Sequence, residues 1–230
     1  MVNHKITGNG RDVIFLHGWG GDINSFAGLC KELSKLYRCT TLDFFGHGAT
    51  PHGELPLVVD DFAKSVVQLI DKYDMQNITL IAHSFGGRVA IKLAADPRIK
   101  KLILIGAAGV KKRFSLVVKL KILRYKLKKK LGLNTSKMGS KDWQKLRVEE
   151  RRTFCNVIRE NLTPLLKSIT QPTLLIWGKK DTETPLYMAQ TMNRKIRDSG
   201  LIIFEDAGHF VYIERPREVL RIIKNFLASF

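Results

Sequence analysis

Six short runs, Val13–Leu16, Cys39–Asp43, Ile78–Ala82, Leu102–Ile105, Thr173–Trp177 and Leu201–Phe204, are separated by stretches with helical spacing. Several of these runs are apolar throughout, as strands covered on both faces must be. Helices are predicted at Ser25–Leu36, Leu57–Tyr73, Gly86–Ala95, Pro185–Ile196 and Pro216–Leu227. Strand–helix alternation predicts an α/β fold, a mostly parallel twisted sheet with helices on both faces. His4–Thr7 suits a further strand, with Gly8-Asn9-Gly10 as a turn into Val13–Leu16. With 230 residues, 44% of them hydrophobic, the chain can bury one sizeable core.

The alternation stops between Gly106 and Pro172, a stretch too long for a simple crossover, so an insertion with its own helices is expected. Leu116, Leu120, Leu123, Leu127 and Leu131 recur at spacings of 4, 3, 4 and 4, one face of a helix that Gly132 would stop. A second helix is expected through Asp142–Asn161, ending before Pro164. The division expected is a core of residues 1–108 and 165–230 with a basic helical cap over 109–164.

Twelve of the 39 Lys and Arg residues lie between Lys111 and Lys141, where there is no Asp or Glu. The formal net charge of +18 is therefore concentrated in the insert. The plainest reading is a lid helix whose leucines cover a site and whose lysines are solvated. Two others are attraction to an anionic membrane surface or lipid, and steering of an acidic substrate. Nucleic acid is not expected, because no recognition fold accompanies the charge.

Met1 is followed by a polar stretch to Asp12 with no apolar segment, so no secretory signal is expected. No run approaches the ~20 apolar residues of a membrane span. Cys30, Cys39 and Cys155 are scattered, without metal-ligand spacing, and suit reduced thiols in a cytoplasmic protein. No metal or organic cofactor is expected.

Four loop motifs each follow a predicted strand. Ala82-His83-Ser84-Phe85-Gly86-Gly87 lies between Ile78–Ala82 and a helical run, so Ser84 is expected on a sharp strand-to-helix turn. Ala82 stands where the G-x-S-x-G pattern has glycine. His17-Gly18-Trp19-Gly20-Gly21 follows Val13–Leu16 and can turn an amide toward a developing oxyanion. The donors expected are the amides of Trp19 and Phe85, with His17 tying the loop down. Gly178-Lys179-Lys180-Asp181 puts a carboxylate at a strand's carboxyl end. Ala207-Gly208-His209-Phe210 supplies a histidine suited to act as a base. Alone, Asp181 would be a turn-former and His209 a structural histidine. Together, in the order Ser84, Asp181, His209, they have the parts of a catalytic triad: nucleophile, orienting acid and base.

On these residues the chain resembles the α/β-hydrolase-fold family from about Val13 to Phe226. The shared features are His17-Gly18-Trp19-Gly20, Asp43-Phe44-Phe45-Gly46-His47-Gly48, His83-Ser84-Phe85-Gly86-Gly87, Trp177-Gly178-Lys179-Lys180-Asp181, and Gly208-His209-Phe210 with Glu214-Arg215-Pro216. The resemblance runs toward small cytoplasmic hydrolases related to carboxylesterases and C–C bond hydrolases. It implies a cap inserted after the family's sixth strand, matching the basic insert, and a structural role for the Asp43–Gly48 turn. Branches with an aspartate nucleophile, such as epoxide hydrolases and haloalkane dehalogenases, do not fit Ser84. The function expected is cleavage of carboxylic esters or related acyl bonds in a small-molecule substrate, through an acyl-enzyme. A C–C bond hydrolase, a thioesterase or a non-catalytic binding protein of the same fold are the alternatives.

Overall fold

A computed structural model describes residues 1–54, 56–111, 120, 123–125, 127–128, 130–133, 146–147 and 150–229. Seven strands form one sheet: β1 (His4–Thr7), β2 (Asp12–Leu16), β3 (Arg38–Leu42), β4 (Ile78–His83), β5 (Ile99–Ile105), β6 (Thr173–Gly178) and β7 (Ser199–Phe204). Their order across the sheet is β1-β3-β2-β4-β5-β6-β7. All neighbours are parallel except β1, which runs antiparallel to β3.

The strand at His4–Thr7 and the turn through Gly8 (φ 82°) and Gly10 (φ 108°) into β2 are present, but β1 and β2 do not pair as a hairpin. Both edges of β2 are occupied, by β3 and β4, so β1 joins the sheet on the far side of β3. The helices α1 (Ala27–Leu33), α2 (Val59–Lys72) and α3 (Phe85–Leu93) lie within a few residues of their predicted bounds. In the insert, α4 (Glu150–Arg159) is followed by a 3-10 turn at Thr163–Ser168. The chain ends with α5 (Tyr187–Lys195), the short α6 (Val211–Glu214), which was not foreseen, and α7 (Pro216–Ala228). In this chain's own order the insert follows β5, the fifth strand.

Side-chain alternation along the strands divides the core in two. Ile14 and Leu16 of β2 face a cluster with Phe62 and Val66 of α2, Val89 of α3 and Met192 of α5. Val13 and Phe15 face the opposite way, onto Leu29 and Leu33 of α1 and Val219, Ile223 and Leu227 of α7. The four-residue spacing in α7 gives it one apolar stripe, and burying each such side chain contributes about 1.5–3 kcal/mol. Every residue of β2, β4 and β6 is buried, which explains their mostly apolar sequences.

The sheet order reverses direction between β2 and β4, since β3 lies to one side of β2 and β4 to the other. In an open α/β sheet the crevice outside the strands' carboxyl ends at such a point is where ligands bind. The loops beginning at His17 and Ser84 leave the sheet there.

The expected leucine stripe is turned to solvent. Leu120, Leu123, Leu127 and Leu131 are 64%, 53%, 52% and 71% exposed. Leu116, and residues 142–145 and 148–149 of the expected second helix, lie outside the described residues, while Leu146 and Arg147 are described and are not helical. The described part of that helix, α4, buries Thr153, Phe154 and Val157.

Candidate active site

β4 is fully buried to its last residue, His83, and α3 starts at Phe85, so one residue makes the whole strand-to-helix turn. That residue, Ser84, has φ 50° and ψ −111°. A side chain at positive φ costs about 1–3 kcal/mol and persists only where its surroundings hold it. Here the Ser84 N–H donates to the Ile105 carbonyl at 3.2 Å, and the Ser84 carbonyl accepts from Gly87 at 3.0 Å and Ala108 at 2.8 Å. Gly86 allows the close approach. A Cβ there would lie 2.1 Å from the Leu16 carbonyl oxygen, inside the backbone at the end of β2.

The carboxyl ends of β6 and β7 carry Asp181 and His209. His209 Nδ1 is 2.8 Å from Asp181 Oδ2. The carboxylate only accepts, so this nitrogen carries the hydrogen and Nε2 is left as the basic lone pair. The Asp181 side chain is completely buried and that of His209 is 12% exposed. Asp181 Oδ1 accepts the amides of Glu183 and Thr184, each at 2.9 Å. The Thr184 hydroxyl is 2.7 Å from Asp181 Oδ2 and 2.9 Å from the Gly106 carbonyl. Burial alone would raise the carboxyl's pKa, but the bond and charge of His209, with the Thr184 amide and hydroxyl, bring it below the usual range.

Ser84 meets this pair through its neighbour. The ring of His83 lies 4.6 Å from that of His209, and its Nε2–H donates to the His209 carbonyl at 3.0 Å. On the other side Gly18 packs against Ser84, where an added Cβ would be 3.2 Å from the serine Cβ. The Trp19 ring is 5.3 Å from that of Phe85. No described acceptor takes the Trp19 amide, and the Phe85 amide opens α3, where no helical acceptor exists.

His17 has the tying role expected of it. Its Nε2 accepts the Phe44 N–H at 3.1 Å and its Nδ1–H donates to Gly18 at 2.7 Å, joining the β2 and β3 loops. Burial pushes its imidazole down to about 4, so it is neutral at physiological pH. Asp43 holds the following turn by accepting the Ile23 and Ala49 amides and the Asn3 side chain.

Two supporting residues were not singled out from the sequence. Thr184 carried a signal, because Asp followed three residues later by Thr suits a carboxylate that caps its own turn. His83 had none, because its partner is 126 positions away.

A cleft of about 270 Å³ opens beside Trp19, between the Phe45–His52 loop and α4. Apolar Trp19, Phe45 and Leu57 share its lining with His47, His52 and Glu150. The Phe154 ring of α4 packs 5.2 Å from the Trp19 ring, so this helix adjoins the motif loops, while the described leucines of the stripe face solvent. A larger cavity of about 400 Å³ lies at the strands' opposite ends, by Asp12, Thr79 and Lys101, remote from Ser84. Among the described residues, no group of three or more His, Cys, Asp or Glu could hold a metal ion. None of the described helices is long and apolar enough to cross a membrane.

The sequence pattern of the alpha/beta hydrolase family matches residues 13–222. The chain belongs to the alpha/beta hydrolase family. It is 25% identical over 264 residues to the 2-hydroxy-6-oxo-2,4-heptadienoate hydrolase of Pseudomonas putida, covering 99% of this chain and 93% of that protein. It is also 25% identical over 248 residues to the pimeloyl-[acyl-carrier protein] methyl ester esterase of Nitrosomonas europaea, covering 94% and 96%. Among solved structures, an esterase from Exiguobacterium antarcticum has the same fold, with a TM-score of 0.80 at 24% identity over 99% of this chain and 96% of that one.

Proposed function

We propose that this alpha/beta hydrolase cleaves carboxylic esters or related acyl bonds of a small molecule, with Ser84 as nucleophile, His209 as base and Asp181 as orienting acid. The observation that carries the reading is the buried Asp181–His209 bond of 2.8 Å, joined through His83 to a serine held at positive φ. Ser84 Oγ attacks the acyl carbon while His209 Nε2 takes its proton. The carbonyl oxygen becomes an oxyanion, stabilised by the amides of Trp19 and Phe85. His209 then protonates the leaving alcohol, whose bond to the acyl carbon breaks. In the second half His209 deprotonates a water, which attacks the acyl carbon; the bond to Ser84 Oγ then breaks, His209 returns the proton to Ser84, and the acid is released. Asp181 fixes the tautomer and stabilises the imidazolium throughout.

The insert from 109 to 164 acts as a cap, and α4 is the part of it that borders the cleft beside Trp19, whose lining includes the proposed oxyanion donor Trp19 and none of Ser84, Asp181 and His209. A second reading, cleavage of a C–C bond next to a carbonyl by the same residues, is favoured by the similarity to the P. putida hydrolase.

Hydrolysis of p-nitrophenyl acetate and butyrate by the protein and by Ser84→Ala, run side by side, tests the proposal. Activity that vanishes in the variant supports it. Equal rates in both would remove Ser84 from the chemistry.

A further inference from the structure

The exposed leucine stripe of the insert has no part in the proposed hydrolysis. Residues 120, 123–125, 127–128 and 130 are helical, and the Leu131 and Leu133 amides close the end onto Leu127 at 3.0 Å and Lys128 at 2.9 Å. At about 100° per residue, Leu120, Leu123, Leu127 and Leu131 fall within an arc of about 80°. Arg124 and Lys128 border that arc on one side and Lys130 on the other. All four leucines are more than half exposed, and Leu133 beyond them is 52% exposed. A contiguous apolar face of this kind marks an interaction surface.

We infer that this face docks on an anionic phospholipid surface, with the leucines entering the headgroup boundary and the flanking cations contacting lipid phosphates. Charge selects this occupant. The stretch from Lys111 to Lys141 carries twelve Lys and Arg and no acidic residue. A second copy of the chain would bring two such segments together with nothing to offset them. Nucleic acid would use the cations but leave the leucines in water. Arginine and lysine stems can run along the leucine stripe with their charged ends at phosphate depth. No described helix could span the membrane, so the association is peripheral.

Co-sedimentation of the full chain with vesicles at low salt tests this, comparing pure phosphatidylcholine with a phosphatidylcholine–phosphatidylglycerol mixture. Two variants separate the contributions: Leu123→Gln with Leu127→Gln, and Lys128→Gln with Lys130→Gln. Glutamine favours helix, and the leucines are exposed, so the fold is expected to stand. The intact protein should sediment with the anionic vesicles alone, and each variant should partition at least tenfold less. Hydrolysis of a soluble ester should be unchanged in both. Three outcomes would overturn the inference: no sedimentation of the intact protein, binding by the leucine variant equal to that of the intact protein, or a leucine-dependent dimer in its place. Sedimentation needs no catalysis, so Ser84→Ala protein should bind equally, and failure of the hydrolase reading would leave the result standing.

Discussion

His83 donates its Nε2–H to the backbone carbonyl of His209 at 3.0 Å. The residue before the proposed nucleophile thus fixes the backbone that carries the proposed base. His83 is 2% exposed, and its ring packs against those of His209, Phe210 and Tyr212. His83→Phe keeps a ring in this space but leaves the His209 carbonyl without its donor. A small displacement of a base can lower the rate by about 100-fold. Steady-state kinetics should show kcat down about 10- to 100-fold with KM little changed. His83→Gln, which can still donate, should recover part of the loss. Equal kcat in the native and Phe proteins would remove the positioning role.

Stability should fall in mildly acidic solution. Burial pushes His17 down to about 4; burial and then the nearby His209 push His83 down to about 3. In the unfolded chain both titrate near 6.5. Below about pH 6.5 the unfolded chain takes up protons that the folded protein refuses. The stability present above that pH is therefore lost as pH falls toward the folded values. At pH 5 each histidine has removed about 2 kcal/mol, against a typical domain stability of about 5–15 kcal/mol. His47, also lowered by burial, acts in the same sense. Asp43 and Asp181, both lowered, lose their contributions only below about pH 4, outside this window. Urea midpoints at pH 7.5 and 5 should differ clearly, and by less in His83→Gln. A midpoint independent of pH would contradict the assignment.

Much of the site was legible because its geometry imposes residue types locally. The turn at Ser84 requires a glycine at 86, where the end of β2 leaves no space for a Cβ, and the sequence displays it. The largely apolar runs of β4 and β6 reported strands buried on both faces. What was not legible depends on distant partners. Periodicity put Leu120, Leu123, Leu127 and Leu131 on one face but could not say that this face meets solvent. Composition suggested a strand at His4–Thr7, yet its neighbour follows from which sheet edge was free. Thr184 and His83 act through contacts that only the folded sheet creates.

Asp181→Asn should be far more damaging than its small change in shape suggests. The amide nitrogen cannot accept from His209 Nδ1–H, so the imidazole loses its tautomer and its counter-charge. In a triad of this kind the loss is about 10⁴-fold in kcat. Thr184→Val is milder, since Asp181 keeps His209 and two amides but loses the hydroxyl at 2.7 Å. A loss of about 1–2 kcal/mol corresponds to about 5- to 30-fold in kcat. Rates of the two variants within threefold of each other would argue against Asp181 as the orienting acid.

Arg88 should anchor the insert to the core. It is 7% exposed and donates to the Glu160 carbonyl at 2.7 Å and the Ile158 carbonyl at 3.2 Å, at the end of α4. Arg88→Met fills much of the same volume but leaves both carbonyls without their donor, at about 2–3 kcal/mol. The insert should open before the sheet does. Limited proteolysis should then cut within residues 109–164 faster in the variant, with the core fragment persisting. Unchanged cutting would place the anchor elsewhere, for example in the Lys92 pair with Glu160.

Substrate length should be limited by the cleft beside Trp19. Its volume of about 270 Å³ is just below that of ligand pockets, which run from about 300 to 1,000 Å³. Trp19, Phe45 and Leu57 favour an apolar group, while His47, His52 and Glu150 keep part of the wall polar. The contact between His52 Nε2 and Glu150 Oε1, at 2.8 Å, links the two sides of the cleft and restricts its widening. For p-nitrophenyl esters, kcat/KM should therefore rise from acetate to butyrate, as each buried methylene contributes about 0.8 kcal/mol. It should fall for long acyl chains, which outgrow the cavity. His52→Ala, freeing α4 from the loop, should move the optimum toward longer chains. A rate that keeps rising with chain length in the native protein would place the acyl group outside this cleft.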